Sequence, residues 1–278
     1  MSKISVNSNF KILLLLASLS FIGAQAQSAE PEITVSAELQ AQLKAHASND
    51  IPMRPLAGYT VVEEIDHKTN LSKIYVDSVA QLLLLENGLT GASSKTIYRS
   101  GAAQGVGRGM SVCGLITVLS ESQSSTDTSS TSILPIGKLF IPFGIKSSVD
   151  FANRYRLTKL ESSYPSLCNP SVGQEFNYKF LYELTMKTSG IFGGTKVFER
   201  SSYAKCKVGN ESVPANKLHE SLQGEALLVA CEAEDQDGKK NSADYFFLKD
   251  SAYYLMTSRV DDWQRSKLSY TAIPYAAK

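Results

Sequence analysis

Three histidines, four cysteines and one acidic run are the groups in this 278-residue chain with obvious chemistry, and their spacing argues against most of it. His46, His67 and His219 each lack a second histidine at helical spacing, so the pairs that hold zinc are missing. His219-Glu220 begins like a zinc-protease helix, but position 223 is Gln and the second ligand is gone. Glu232, Glu234, Asp235, Asp237 and Gly238 imitate part of a calcium loop. Its first ligand position holds Ala233 and its closing glutamate is replaced by Asp244, so an Asp-Gly hairpin turn is the expectation. Ser202 and Lys205 have the spacing of a serine-lysine nucleophile pair, yet three residues apart on a strand they point to opposite faces. Gly105-Val106-Gly107-Arg108-Gly109 could cradle an anion. It lacks the lysine of a phosphate loop, and a strand-like segment follows it instead of a helix N-terminus, so Gly101 to Gly109 reads as a flexible hairpin loop. No metal and no cofactor are expected.

The cysteines tell more. Lys3 and Lys11, the apolar run Ile12 to Ile22 and the small-residue end Ala24-Gln25-Ala26 form a secretory signal peptide over residues 1–26, cut before Gln27. The exported chain then carries Cys113, Cys168, Cys206 and Cys231, an even number in an oxidising compartment, which predicts two structural disulfides. Cys206 with Cys231 is favoured because each sits in a strand-like run with room between for two strands and a connection. Cys113 with Cys168 follows by elimination. The expected location is the periplasm if the host is Gram-negative, and the exterior otherwise.

The elements that must position these residues read mostly as strands. Ser36 to His46 is the exception, a short amphipathic helix capped by Ser36 with Leu39 and Leu43 one turn apart. Tyr59 to Asp66 and Ser72 to Asp77 form a hairpin, and Lys95 to Arg99 and Ser111 to Leu119 are strands. Val79 to Glu86 is strand or helix, since periodicity does not separate the two over so short an apolar run. Between Ser120 and Ser132 ten of thirteen residues are serine or threonine, which reads as a mobile loop or linker. The apolar run Ile133 to Ile145, broken by Pro135, Gly137, Lys138, Pro142 and Gly144, reads as an irregular flap over a core, with a surface loop that touches a membrane or ligand as the alternative. From Phe176 to Met186 every even position is apolar, the alternation of a long half-buried strand. Lys196 to Val208, Glu225 to Glu234, Tyr245 to Leu248, Ala252 to Val260 and Lys267 to Tyr275 continue the set.

The expected fold is therefore mainly β, with antiparallel sheets as a meander, sandwich or partly closed barrel and one or two short helices, an α+β arrangement being the variant. Its parts are an N-terminal β-rich half with a short helix (27–120), a Ser/Thr-rich linker and apolar loop (121–150) and a C-terminal antiparallel β domain (151–278). The formal net charge is +1 with signs interspersed, which excludes the basic stripe of a nucleic-acid binder. No transmembrane segment is expected in the mature chain. Tyr253, Tyr254 and Trp263 are the candidates for a binding surface, because adjacent tyrosines on a strand face opposite ways. The functional expectation is an exported, non-catalytic binding or envelope-maintenance protein. Its partner would be an envelope protein, including an inhibitor or immunity role, or a lipid or small apolar ligand. The alternative is a secreted hydrolase with its site assembled from dispersed groups such as His67, His219 and the Glu232 to Asp237 cluster.

Overall fold

The computed structural model describes residues 36–46, 54–68, 73–85, 88–100, 103–136, 139–189 and 193–277, and for residues 126–149 the backbone alone. The signal segment lies outside the described residues.

Twelve antiparallel strands follow one another around a closed barrel, the last hydrogen-bonded to the first. They are β1 Gly58–His67, β2 Ile74–Leu84, β3 Thr90–Tyr98, β4 Ala103–Val112, β5 Ile116–Ile136, β6 Leu139–Ser162, β7 Glu175–Thr188, β8 Gly194–Pro214, β9 Glu225–Asp235, β10 Lys240–Leu248, β11 Tyr253–Val260 and β12 Gln264–Ala272. The mainly β antiparallel expectation is met by the barrel form. Closure removes the sheet edges that would otherwise recruit other chains. It also runs through the division expected at residues 121–150, because strands from both sides of it belong to one sheet.

Three local readings change. The Gly101 to Gly109 loop is strand from Ala103 onward, since glycines at 105, 107 and 109 occupy one face while Gln104, Val106 and Arg108 occupy the other. The expected strand Ser111 to Leu119 is two strand ends around a tight turn. Cys113 (φ 44°) and Gly114 (φ 79°) are both left-handed, as the central residues of a type I′ turn must be, and Leu115 N closes the turn by donating to Val112 O at 2.9 Å. A Cβ at Gly114 would also lie 2.6 Å from Tyr254 O, so glycine is needed there on both counts. The serine-rich linker is strand β5, which the hydroxyl side chains permit because β4 and β6 supply pairing on both sides up to Thr126.

The strand ends divide the molecule. At one end lie the β2–β3, β4–β5, β6–β7, β8–β9 and β10–β11 connections, and here the core is dense. Val112, Ile116, Val118, Leu157, Leu160, Leu167, Phe176, Val208, Leu227, Val229, Phe247 and Tyr254 pack with Leu39 and Leu43 of α1, Ala37–His46. The helix is capped as expected, Leu39 N donating to Ser36 Oγ at 3.3 Å, and Gln42 Oε1 accepts from Leu160 N at 3.2 Å near the β6 bulge. Tyr254 Oη donates to Leu167 O at 2.8 Å, satisfying a carbonyl that burial would otherwise leave bare. The cysteines pair as anticipated, Cys206 with Cys231 across β8 and β9 and Cys113 with Cys168 across the packed end, with Cα atoms 4.1 and 5.7 Å apart. Such pairs fit an oxidising compartment.

Candidate functional site

Toward the other end, where β5 and β6 extend as a ribbon, the inner face changes character. On β8, exposure rises steadily from Cys206 and Val208 (0%) through Ala204 (1%) to Ser202 (9%), with Arg200 and Phe198 half-buried and Lys196 exposed. On β7 the same face passes from Phe176 (2%) and Tyr178 (6%) through half-buried Phe180, Tyr182 and Leu184 to Met186 (37%). Both gradients run along inward-facing positions, so solvent enters the barrel from the ribbon end and stops at the packed core.

The walls of this lumen are unlike one another. One wall carries almost no side-chain bulk: Ala92, Ser94 and Thr96 on β3, Gly105, Gly107 and Gly109 on β4, and Ser120, Ser122 and Ser124 on β5 are paired in register. Their common face is fixed by Gly107, whose added Cβ would sit 3.0 Å from Ser94 Oγ and 3.9 Å from Ser122 Cβ. The other wall is a ladder of rings on β7. Centroids of Phe176, Tyr178, Phe180 and Tyr182 follow at 6.5, 5.9 and 5.7 Å, and Tyr155 of β6 stacks on Tyr182 at 4.8 Å. An eight-stranded barrel is just filled by its side chains. Around the inner face the small residues of β3 to β5 give way to rings on β6 and β7, with Ser120 of β5 paired to Tyr155 of β6.

The polar groups of the lumen are few. Burial pushes the phenols of Tyr155, Tyr178 and Tyr245 up, so they stay neutral hydrogen-bonding groups and are no use as bases at ordinary pH. Glu63 shares the inner face of β1 with buried Val61 and Ile65, and its Oε1 lies 3.6 Å from Arg259 Nη2 of β11. Ser266, wholly buried opposite Ile65, has a hydroxyl without a hydrogen-bond partner among the described residues. Taken together the described lumen residues offer an extended aromatic face, small hydroxyls on the strands beside it, the Glu63–Arg259 pair and, toward the mouth, half-buried Arg200: apolar contact with polar anchors.

The outer face is the reverse. Glu121 accepts from Arg108 Nη2 at 2.8 Å and lies 3.3 Å from Arg154 Nε, Arg156 meets Glu183 at 3.2 Å, and Lys205 meets Glu175 at 3.3 Å. Exposed Val79, Leu83, Val106 and Val197 lie on the same outer face as these pairs. Among the described residues no helix is long and apolar enough to cross a membrane.

Of the residues singled out in the sequence, few are brought together. His67 ends β1 at the ribbon end, paired with Gln264, whereas His219 lies in the β8–β9 connection at the packed end, its Nδ1 2.8 Å from Ser221 Oγ. The acidic run is used by the β9–β10 turn: Asp235 Oδ1 accepts from Asp237 N and Lys239 N at 2.9 Å, and Asp237 pairs with Arg200. Ser202 is buried and Lys205 exposed, on opposite faces as expected. Tyr253 and Tyr254 do face opposite ways, but each enters a core cluster of its own and neither forms an exposed patch; Trp263 is 67% exposed in the β11–β12 turn. No group of three or more His, Cys, Asp or Glu placed to hold a metal occurs among the described residues. The lumen residues were missed as a site. Their signal was present in the period-2 glycines of β4 and serines of β5, which describe a strand with an empty face.

No family model matches the chain, and neither the curated proteins nor the solved structures give a match.

Proposed function

We propose that this protein is an exported, non-catalytic carrier or sensor of an amphiphilic small molecule, held in the lumen at the ribbon end with its apolar body along the Tyr155, Tyr178, Phe180 and Tyr182 ladder. The observation that carries the reading is the pairing of that ladder with a Gly/Ser/Ala wall on a face that solvent reaches. A wall reduced to glycine and serine wastes packing energy unless something else occupies the space, because native interiors are otherwise filled to crystal-like density. The ligand class follows from the lining: apolar surface for a chain or ring system, hydroxyls and the Glu63–Arg259 pair for a polar head. Export by the N-terminal signal would place this activity in the periplasm or outside the cell, in keeping with the two cysteine pairs.

Titration of the mature chain with a fluorescent fatty-acid analogue tests the reading. Saturable one-to-one binding, displaced by unlabelled long-chain amphiphiles and absent for their short-chain forms, is expected. Binding that does not saturate, or that survives when the lumen is filled by substitution, would refute it.

A further inference from the structure

The phenols that face the lumen differ from those at the packed end. There Tyr254 Oη donates to Leu167 O and Tyr270 Oη to Met256 O, each at 2.8 Å, and Tyr275 Oη accepts from Gln223 N at 3.0 Å. A tyrosine hydroxyl in a packed interior usually finds such a partner. Tyr155, Tyr178, Tyr182 and Tyr245 have no hydrogen-bond partner among the described residues. Burial raises the phenols of Tyr178 and Tyr245, so both keep their protons and can donate.

Arg259 is in the same condition. Arg99, Arg108, Arg156 and Arg200 each hydrogen-bond a carboxylate, that of Arg200 being Asp237 in the β9–β10 turn. Arg259 comes no closer than 3.6 Å to Glu63 Oε1, beyond the roughly 2.7–2.9 Å of a charge-assisted bond, and its N–H groups have no hydrogen-bond acceptor among the described residues. Tyr245 lies two positions deeper on β10 than Ala243, the residue paired with Arg259. The Arg259 charge opposes the rise that burial imposes on the Tyr245 phenol, so guanidinium and hydroxyl share one environment. From Tyr245 to Tyr178 the inner positions of β10, β9 and β8 hold Ala243, Ala233 and Ala204, side chains too small to wall the two phenols apart. Ser266, in register with both Arg259 and Ile65, adds its buried, unpartnered hydroxyl. This side of the lumen is therefore rich in donors, and Glu63 is its one carboxylate.

Resting on the carrier reading of the lumen, we propose that the amphiphile is a carboxylate, its head held by the Arg259 guanidinium with the Tyr245 phenol as a further donor, and its tail laid along the β6–β7 rings. A guanidinium fork matches a carboxylate bidentately, and the remaining lone pairs of the head answer the phenol and the Ser266 hydroxyl. An alcohol or ester head brings fewer lone pairs and no charge to the same donors. A phosphate head brings up to two negative charges to a place where Arg259 and Glu63 already cancel; a carboxylate brings one. Glu63 orients Arg259 and repels the incoming head, so it tempers the affinity that Arg259 supplies. The two residues thus act with opposite sign on one ligand.

Equilibrium dialysis of the mature chain against radiolabelled hexadecanoic acid and against its methyl ester, at about pH 8 where the acid is ionised, is the test. The two share a tail and differ in head charge. The wild type is expected to bind the acid at least about tenfold more tightly than the ester. Arg259→Gln should erase that preference and leave the ester's affinity unchanged, and Tyr245→Phe should reduce it. Glu63→Gln should tighten the acid about two- to fivefold, the effect of removing a solvent-screened like charge, and leave the ester unmoved. Unchanged ester binding and near-ultraviolet circular dichroism show that a variant keeps its barrel and lumen. Equal wild-type affinity for acid and ester, a preference that survives Arg259→Gln, or weaker acid binding by Glu63→Gln overturns the proposal and leaves the carrier reading standing. A wild type that binds neither compound overturns both.

Discussion

Gly107→Leu distinguishes an open lumen from a filled core, since the two predict opposite signs. Gly107 has ordinary strand backbone, outside the left-handed set, so a side chain is conformationally allowed. Its Cβ would meet Ser94 Oγ at 3.0 Å, the end of a rotatable side chain that can give by a few tenths of an ångström. Glycine inside a strand is destabilising by roughly 0.5–1 kcal/mol, and leucine recovers that. With the rest of the side chain entering open space, the net change should lie within about 1 kcal/mol of zero or be stabilising. Inserting the same leucine into a packed interior would cost about 1–3 kcal/mol. Urea unfolding at constant m measures this directly, and the same variant should lose fatty-acid-analogue binding because leucine would enter the lumen from β4, two strands from Tyr155. Gly109→Ala is the internal control: its Cβ would lie 2.6 Å from Leu119 O, a backbone atom, so it should destabilise. A Gly107→Leu variant destabilised by more than about 1 kcal/mol would mean the lumen is packed, and unchanged binding would place the ligand elsewhere.

Removing the cysteine pairs as alanines should cost about 3.5 kcal/mol for Cys206–Cys231 and about 4 kcal/mol for Cys113–Cys168, from loops of 25 and 55 residues, read as shifts in denaturation midpoint under oxidising conditions. Tyr254→Phe strands the buried Leu167 carbonyl and should cost about 1–3 kcal/mol in the same assay, with probe binding preserved. Burial lowers the pKa of His46 from 6.5, against the opposing hydrogen bonds of Pro165 and Tyr164. The unfolded chain thus binds the proton more readily, and the stability tied to neutral His46 is present above pH 6.5 and lost as pH falls below it. His46→Gln should flatten that part of the stability profile between pH 7 and 5.5; an unchanged slope would show that other groups set it.

How much of this could be read in advance depended on whether a signal was local. The Phe176 to Met186 alternation identified β7 because period 2 needs no knowledge of partners, and Ser36 identified the helix start because a cap is a contact three residues long. The Cys206–Cys231 pair was reachable from two adjacent strand-like runs. The serines of β5 were not, since their strand state depends on β4 and β6 pairing alongside, and composition alone describes a loop. The glycines of β4 misled for the same reason. The two-residue turn at Cys113-Gly114 was hidden by apolar residues on either side, which made one strand of two. The lumen itself was out of reach, because Gly105–Gly109 comes beside Tyr155 and Phe176–Tyr182 only through the β4–β5, β5–β6 and β6–β7 pairings, which no single segment shows.

Native mass spectrometry of the mature chain purified from its own oxidising compartment, beside Gly107→Leu prepared identically, tests the lumen most directly. The account predicts one amphiphile bound at unit stoichiometry to the wild type and none to the variant. A wild-type protein free of ligand, or one carrying the same molecule in equal amount when the lumen is filled, would contradict it.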